Sequence, residues 1–178
     1  MTANVKQEPL RLGFLTAIEI PEKGFVGGLL VTNHNGRPLE FQCTVPIKPN
    51  PTQEILYGPT LSPFILGELI GTTLVERAGV KPQLILTDQA QILELRNHID
   101  RPVALVEAGA QENASSTPGA RKAIRLGRQV IQFHPAHDTD SATVTRDSQQ
   151  VPVDADLQEP FERVREALQE TMKSGALR

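Results

Sequence analysis

Three extended apolar runs in succession, residues 10–20, 24–33 and 37–47, followed by a long apolar helix and then strand, helix, strand, constrain this chain more than any single residue does. In the first run Leu10, Leu12, Phe14, Thr16, Ile18 and Ile20 alternate on one face, while Leu15 and Ala17 occupy the other, the pattern of a central strand covered on both sides. Pro21 and the turn at 22–24 end it. The second run closes at Asn33, His34, Asn35, Gly36, whose Asn-Gly pair supplies the positive φ angles of a hairpin turn. A third strand over 38–45 completes an antiparallel meander.

Pro46, Pro49 and Pro51 then make a stiff connector, and residues 52–57 form a short helix broken by Gly58 and Pro59. Thr60 or Ser62 caps a longer helix that carries Pro63 in its first turn, shows the stripe Ile65, Leu66, Leu69, Ile70, Thr73, Leu74, and stops at Gly79. The continuous apolar segments 83–87 and 101–107 read as strands buried on both faces, separated by a helix over 89–97. Strands so separated join a sheet in parallel through right-handed crossovers. The expected class is therefore α/β with a mixed sheet, three antiparallel strands extended by two parallel ones.

Residues 1–107 make up this core. Residues 108–120, rich in Gly, Ala and Ser, read as a linker or loop, and 121–178 as a hairpin and helix packing on the core. The hairpin is expected to pair 122–134 with 142–151. Leu157, Phe161, Val164, Leu168 and Met172 recur every three to four residues, as in an amphipathic helix that docks one stripe on the body.

Charge is nearly balanced, 18 basic against 21 acidic residues, so no global field recruits nucleic acid. Tryptophan is absent and aromatics are 4%, which leaves few platforms for stacking bases. The lone Cys43 cannot form an internal disulfide, and residues 1–9 have no apolar signal core, so a reducing cytoplasm is expected and a membrane is not.

The order of elements resembles that of the ribonuclease H-like superfamily over residues 10–107, with the last helix as a closing element. Leu84, Ile85, Leu86, Thr87, Asp88 is similar to the family's fourth strand, which ends in a metal-binding aspartate. Gly27, Gly28, Leu29, Leu30, Val31 is similar to its second strand. The resemblance implies a nuclease whose carboxylates converge on magnesium or manganese. The chain departs from that pattern at Ala17, where the first strand should present an aspartate, with Glu19 as the nearest replacement. Gly67, Glu68, Leu69, Ile70 resembles the family's helix motif, yet Glu68 lies roughly 150° from the centre of the apolar stripe and points away from the sheet.

Asp88 is therefore either a metal ligand or the N-cap of the next helix, the commoner role for such a residue. Glu19 reads as a solvated strand end beside Lys23, and Glu107 as a plain strand exit, although both are carboxylates at strand ends. His134, His137, Asp138 and Asp140 have the chemistry of a zinc or manganese site, but Pro135 breaks the spacing and favours a polar hairpin tip. Arg121, Lys122, Arg125 and Arg128 place four cations in eight residues, enough to meet phosphates or simply to solvate a strand face.

Gly67 and Gly71, flanked by Phe64 and Val75, form an outer helix face that must be covered by the C-terminal helix or by a second copy in a homodimer. Two functional readings follow. In the first the chain is a non-catalytic binding or accessory domain for a protein partner, requiring no cofactor. In the second it is a divergent metal-dependent nuclease built on Glu19, Asp88 and Glu107.

Overall fold

A seven-stranded mixed sheet runs through the computed structural model, which describes residues 8–107 and 122–175. Its strands are β1 (Arg11–Ile20), β2 (Gly24–Asn33), β3 (Pro38–Cys43), β4 (Leu84–Thr87), β5 (Val103–Glu107), β6 (Ala123–Leu126) and β7 (Gln129–Phe133), in spatial order β3-β2-β1-β4-β5-β7-β6. β1 to β3 form the antiparallel meander, and β4 and β5 join in parallel. The order 3-2-1-4-5 is that of the ribonuclease H-like fold, and the chain has this fold.

Alternation in β1 divides the core in two. Leu12 and Phe14 meet Leu84, Leu86, Phe161 and Val164 on one face of the sheet, whereas Leu15 meets Ile70, Leu74, Ile85 and Leu95 on the other. The first face is covered by the C-terminal helix α4 (Glu159–Lys173), the second by a continuous helical rod, π-helical over Pro63–Gly71 and α-helical as α2 over Thr72–Arg77. Cys43 faces the first core half-buried, and that burial pushes its thiol pKa up, as befits a packing residue. At the far end of the rod the Glu40 carboxylate, on edge strand β3, accepts the backbone N–H groups of Val80 (2.9 Å) and Gly79 (3.0 Å), which hold its pKa below the usual carboxylate value.

The sheet is wider than the five strands expected, because the hairpin is a different one. It joins β6 to β7 through Gly127 and Arg128, and β7 pairs with β5, so residues 123–133 extend the sheet. Residues 140–147 are not its second strand but helix α3 (Asp140–Asp147). β-branched Thr143, Val144 and Thr145 favour a strand locally, but Asp140 in the first turn is clamped by Arg96 at 2.7 Å, and this contact with the body prevails. The linker expected at 108–120 lies outside the described residues.

The outer face of the rod is covered by neither candidate. Gly67 and Gly71 admit the 3-10 helical segment Ala90–Asn97, a Cβ on Gly67 lying 2.9 Å from the Gln91 carbonyl oxygen and one on Gly71 3.0 Å from Leu95. α4 sits on the opposite side of the sheet, against Gly28. No second copy is needed to cover Gly67 and Gly71. Glu68 points away from the sheet as its helical position requires, with His98 3.8 Å from its carboxylate.

Helix α1 (Pro51–Tyr57) buries none of its residues and leaves Ile55 79% and Leu56 77% exposed. It is held locally. Asn50 Oδ1 accepts from Gln53 N (2.8 Å), and Gln53 Oε1 accepts from Asn50 N (3.0 Å), a complete capping box. Asn50→Ala should cost the helix about 1 kcal/mol without touching either core. Hydrogen exchange of the 53–57 amides should quicken while the melting temperature stays within about 1 °C of the parent. A fall of several degrees would show that α1 is coupled to the sheet.

Candidate functional site

The carboxyl ends of β1, β4 and β5 form the edge at which this fold gathers its polar groups. β1 and β4 stop pairing at Leu15 and Thr87, so Thr16 and Asp88 come next to each other as the chains part. Thr16, fully buried, donates its hydroxyl to Asp88 Oδ1 at 2.7 Å. Arg165 reaches down from α4 and donates from Nη1 to Asp88 Oδ2 at 2.5 Å, a pair whose side chains are 37% and 16% exposed respectively. Both carboxylate oxygens of Asp88 are thus engaged, one by a neutral and one by a charged donor.

Gln89 completes the arrangement. Its side-chain oxygen accepts from Ala17 N (2.9 Å) and its amide nitrogen donates to Ala17 O (3.1 Å). Asp88 does not cap the following helix. The Ala90–Asn97 segment begins at Gln89 with no side-chain cap, and Gln89 N instead donates to Thr87 Oγ1 (3.2 Å). The cap expected from local sequence gave way to a stronger, charged partner supplied by α4.

The other two carboxylates lie elsewhere. Glu19 shares the parity of Leu15 and Ala17, which face the rod, and stands three residues beyond Thr16, roughly 10 Å along the strand. Glu107 shares the parity of Val103 and Leu105, also on the rod side, and ends β5 opposite Val130. Asp88 belongs to the α4 side. Asp88 and Glu107 nevertheless line one shallow cleft of about 350 Å³ with Ala90, Leu105 and Val106.

The histidine cluster occupies the opposite edge. His134 follows β7, whose Phe133 pairs with Ala104 near the start of β5. Asn97 bridges the two rings, 3.3 Å from His134 Nε2 and 2.9 Å from His137 Nε2. Residues 135–137 form one 3-10 turn, not a hairpin tip, and the Asp138 carbonyl caps Ser141. Of the basic group, Lys122, Arg125 and Arg128 lie on or beside edge strand β6, three strands from β4 and so roughly 14 Å across the sheet from Asp88. Arg121 lies outside the described residues.

A divalent ion of the kind the fold implies needs several oxygen donors converging on one point. Among the described residues no group of three His, Cys, Asp or Glu side chains is so placed. The one carboxylate at the expected position already holds a guanidinium. The donor set does not fit the metal.

Thr16, Gln89 and Arg165 are the site residues that sequence reasoning missed. One signal was available for Arg165, which falls four residues after Phe161 and three before Leu168, on the edge of the apolar stripe where a charge requires a partner.

No family model matches the sequence, and no curated protein does. Similar solved structures include Endonuclease V of Ciona intestinalis bound to an inosine-containing DNA, with 10% identity, TM-score 0.49, and 92% of this chain and 87% of that one covered. The catalytic domain of human Endonuclease V gives 13% identity, TM-score 0.48, and coverage of 93% and 85%. Marinitoga piezophila Argonaute with a guide RNA gives 13% identity and TM-score 0.31, covering 83% of this chain and 28% of that one. At such identities the likeness is one of chain arrangement and transfers no activity.

Proposed function

We propose that this chain is a non-catalytic binding domain of ribonuclease H-like fold, whose carboxyl edge engages a phosphate-bearing strand of nucleic acid without cutting it. The ion pair between Arg165 and Asp88, closed by Thr16, carries this reading. A side-chain cation stands where a hydrolytic site would need a divalent one, and its exposed remainder offers donors to a phosphate. The lone, half-buried Cys43 thiol suits a reducing cytoplasm.

Fluorescence anisotropy with a labelled single-stranded oligonucleotide tests it. Binding should weaken as salt rises, and Arg165→Gln should lower affinity about tenfold. Manganese or magnesium at millimolar concentration should neither release product nor raise the melting temperature, since an ion held by the native state must stabilise it.

The second reading is a divergent metal-dependent nuclease of Glu19, Asp88 and Glu107, favoured by the cleft that Asp88 and Glu107 share. Metal-dependent cleavage that disappears in Asp88→Asn would establish it and overturn the first.

A further inference from the structure

Helix α1 carries two aliphatic side chains that the fold does not use. Ile55 and Leu56 stand almost wholly in solvent, and no residue of α1 belongs to either core. An isolated helix this short is marginal in water. Its ends are nevertheless fixed, since the Asn50–Gln53 capping box and Pro51 start it, and Tyr57 stacks on Phe64 of the rod with ring centroids 4.5 Å apart and planes 16° from parallel. Ile55, Leu56 and Tyr57 are therefore held in shape before anything touches them, which lowers the ordering cost of binding.

The stretch around them is acidic. Residues 49–76 contain Glu54, Glu68 and Glu76 and no lysine or arginine, and Lys48, just before them, turns its ammonium to the Glu22 carbonyl at 3.1 Å. Glu54 is exposed on α1 itself, next to Ile55. This charge discriminates among the surfaces that could cover the two side chains. A helix that lies on anionic lipid surrounds its apolar face with lysine and arginine, and α1 has neither. A phosphate backbone is disfavoured on the same ground. A second copy of the chain, meeting α1 across a two-fold axis, would set Glu54 against its own counterpart.

We propose that α1 is a docking surface for a basic amphipathic helix of another protein, whose apolar stripe covers Ile55 and Leu56 and whose lysine or arginine side chains meet Glu54. The backbone groups of a helix are used internally, so α1 offers no edge to an extended strand and the contact is made side chain on side chain, as between two helices. The apolar pair supplies the burial and Glu54 selects the sign of the partner.

A fluorescein-labelled peptide of about 14 leucine and lysine residues, with leucine at helical spacing, is the probe. Titrated with the full chain in dilute salt, its anisotropy should rise with a midpoint on the order of 100 μM, and its twin with glutamate in place of lysine should bind at least about tenfold more weakly. Ile55→Ser and Leu56→Ser should each weaken binding about tenfold, and Glu54→Gln about threefold. All three side chains are exposed, so the variants should melt within about 1 °C of the parent, which separates lost binding from lost folding. Val153→Ser removes an equally exposed aliphatic side chain beside β6, at the other edge of the sheet, and should bind as the parent does. Equal binding of the two peptides, or equal losses in Val153→Ser and Leu56→Ser, would overturn the proposal. Self-association of the chain in light scattering, or capture by phosphatidylserine vesicles, would overturn it too if lost in Leu56→Ser, handing the face to a second copy or to lipid.

Discussion

Ending the chain at Asp156 should leave a protein that does not fold. The truncation removes Leu157, Phe161, Val164 and Leu168, each 3% exposed or less, from the core beneath β1 and β4. At about 1.5–3 kcal/mol apiece their burial amounts to roughly 6–12 kcal/mol, comparable with the roughly 5–15 kcal/mol that holds a typical domain folded. It also strips Asp88 of its guanidinium and leaves a partly buried carboxylate with one neutral donor. Near-UV circular dichroism and a denaturant titration are the measurements. A cooperative transition retained without α4 would show that the sheet and rod fold alone.

Gly27→Val should be the most damaging single substitution in β2. A Cβ at this position would stand 2.1 Å from Ile70 Cγ2 and 3.3 Å from Leu74 Cδ1, and Ile70 is itself fully buried. Neither side can yield cheaply, because Gly27 pairs with Ala17 of β1 within the sheet and its N–H donates to the buried Thr44 hydroxyl. A loss of about 3 kcal/mol or more is expected, seen as a fall of roughly 6–12 °C in melting temperature. Ile70→Ala should be costly alone, yet the double variant should lose much less than the sum, since the cavity accepts the added side chain. Strict additivity would place the strain elsewhere.

The meander, the parallel strands and the final helix were legible because each writes its own periodicity into a short stretch of sequence. Leu15 and Thr16 on opposite faces of one strand, and Phe161, Val164 and Leu168 on one face of one helix, are local facts that packing then respects. Asp88 could be located at the edge of the sheet for the same reason. What it does there could not be read, because Arg165 lies 77 residues away and a side-chain pair at that range has no local signature. The hairpin failed differently. Leu126, Gly127, Arg128, Gln129 held the turn, but a run of β-branched residues further on imitated a strand until Arg96, from a distant element, fixed Asp140 in a helix.

The side-chain amide of Gln89 imitates a peptide group, presenting an acceptor and a donor to Ala17 just where a further residue of β4 would do so. It therefore lengthens a four-residue strand by one rung without lengthening its backbone, and frees the chain to turn away. In a sheet a slip of one residue would exchange the two faces of β4, sending Leu84 and Leu86 to the rod and Ile85 to α4. Such a slip would also carry Gln89 past its mate, so the amide acts as an end stop on the ladder between β1 and β4. The register of the central strand pair is thus written twice, once in the apolar alternation and once in a single polar side chain.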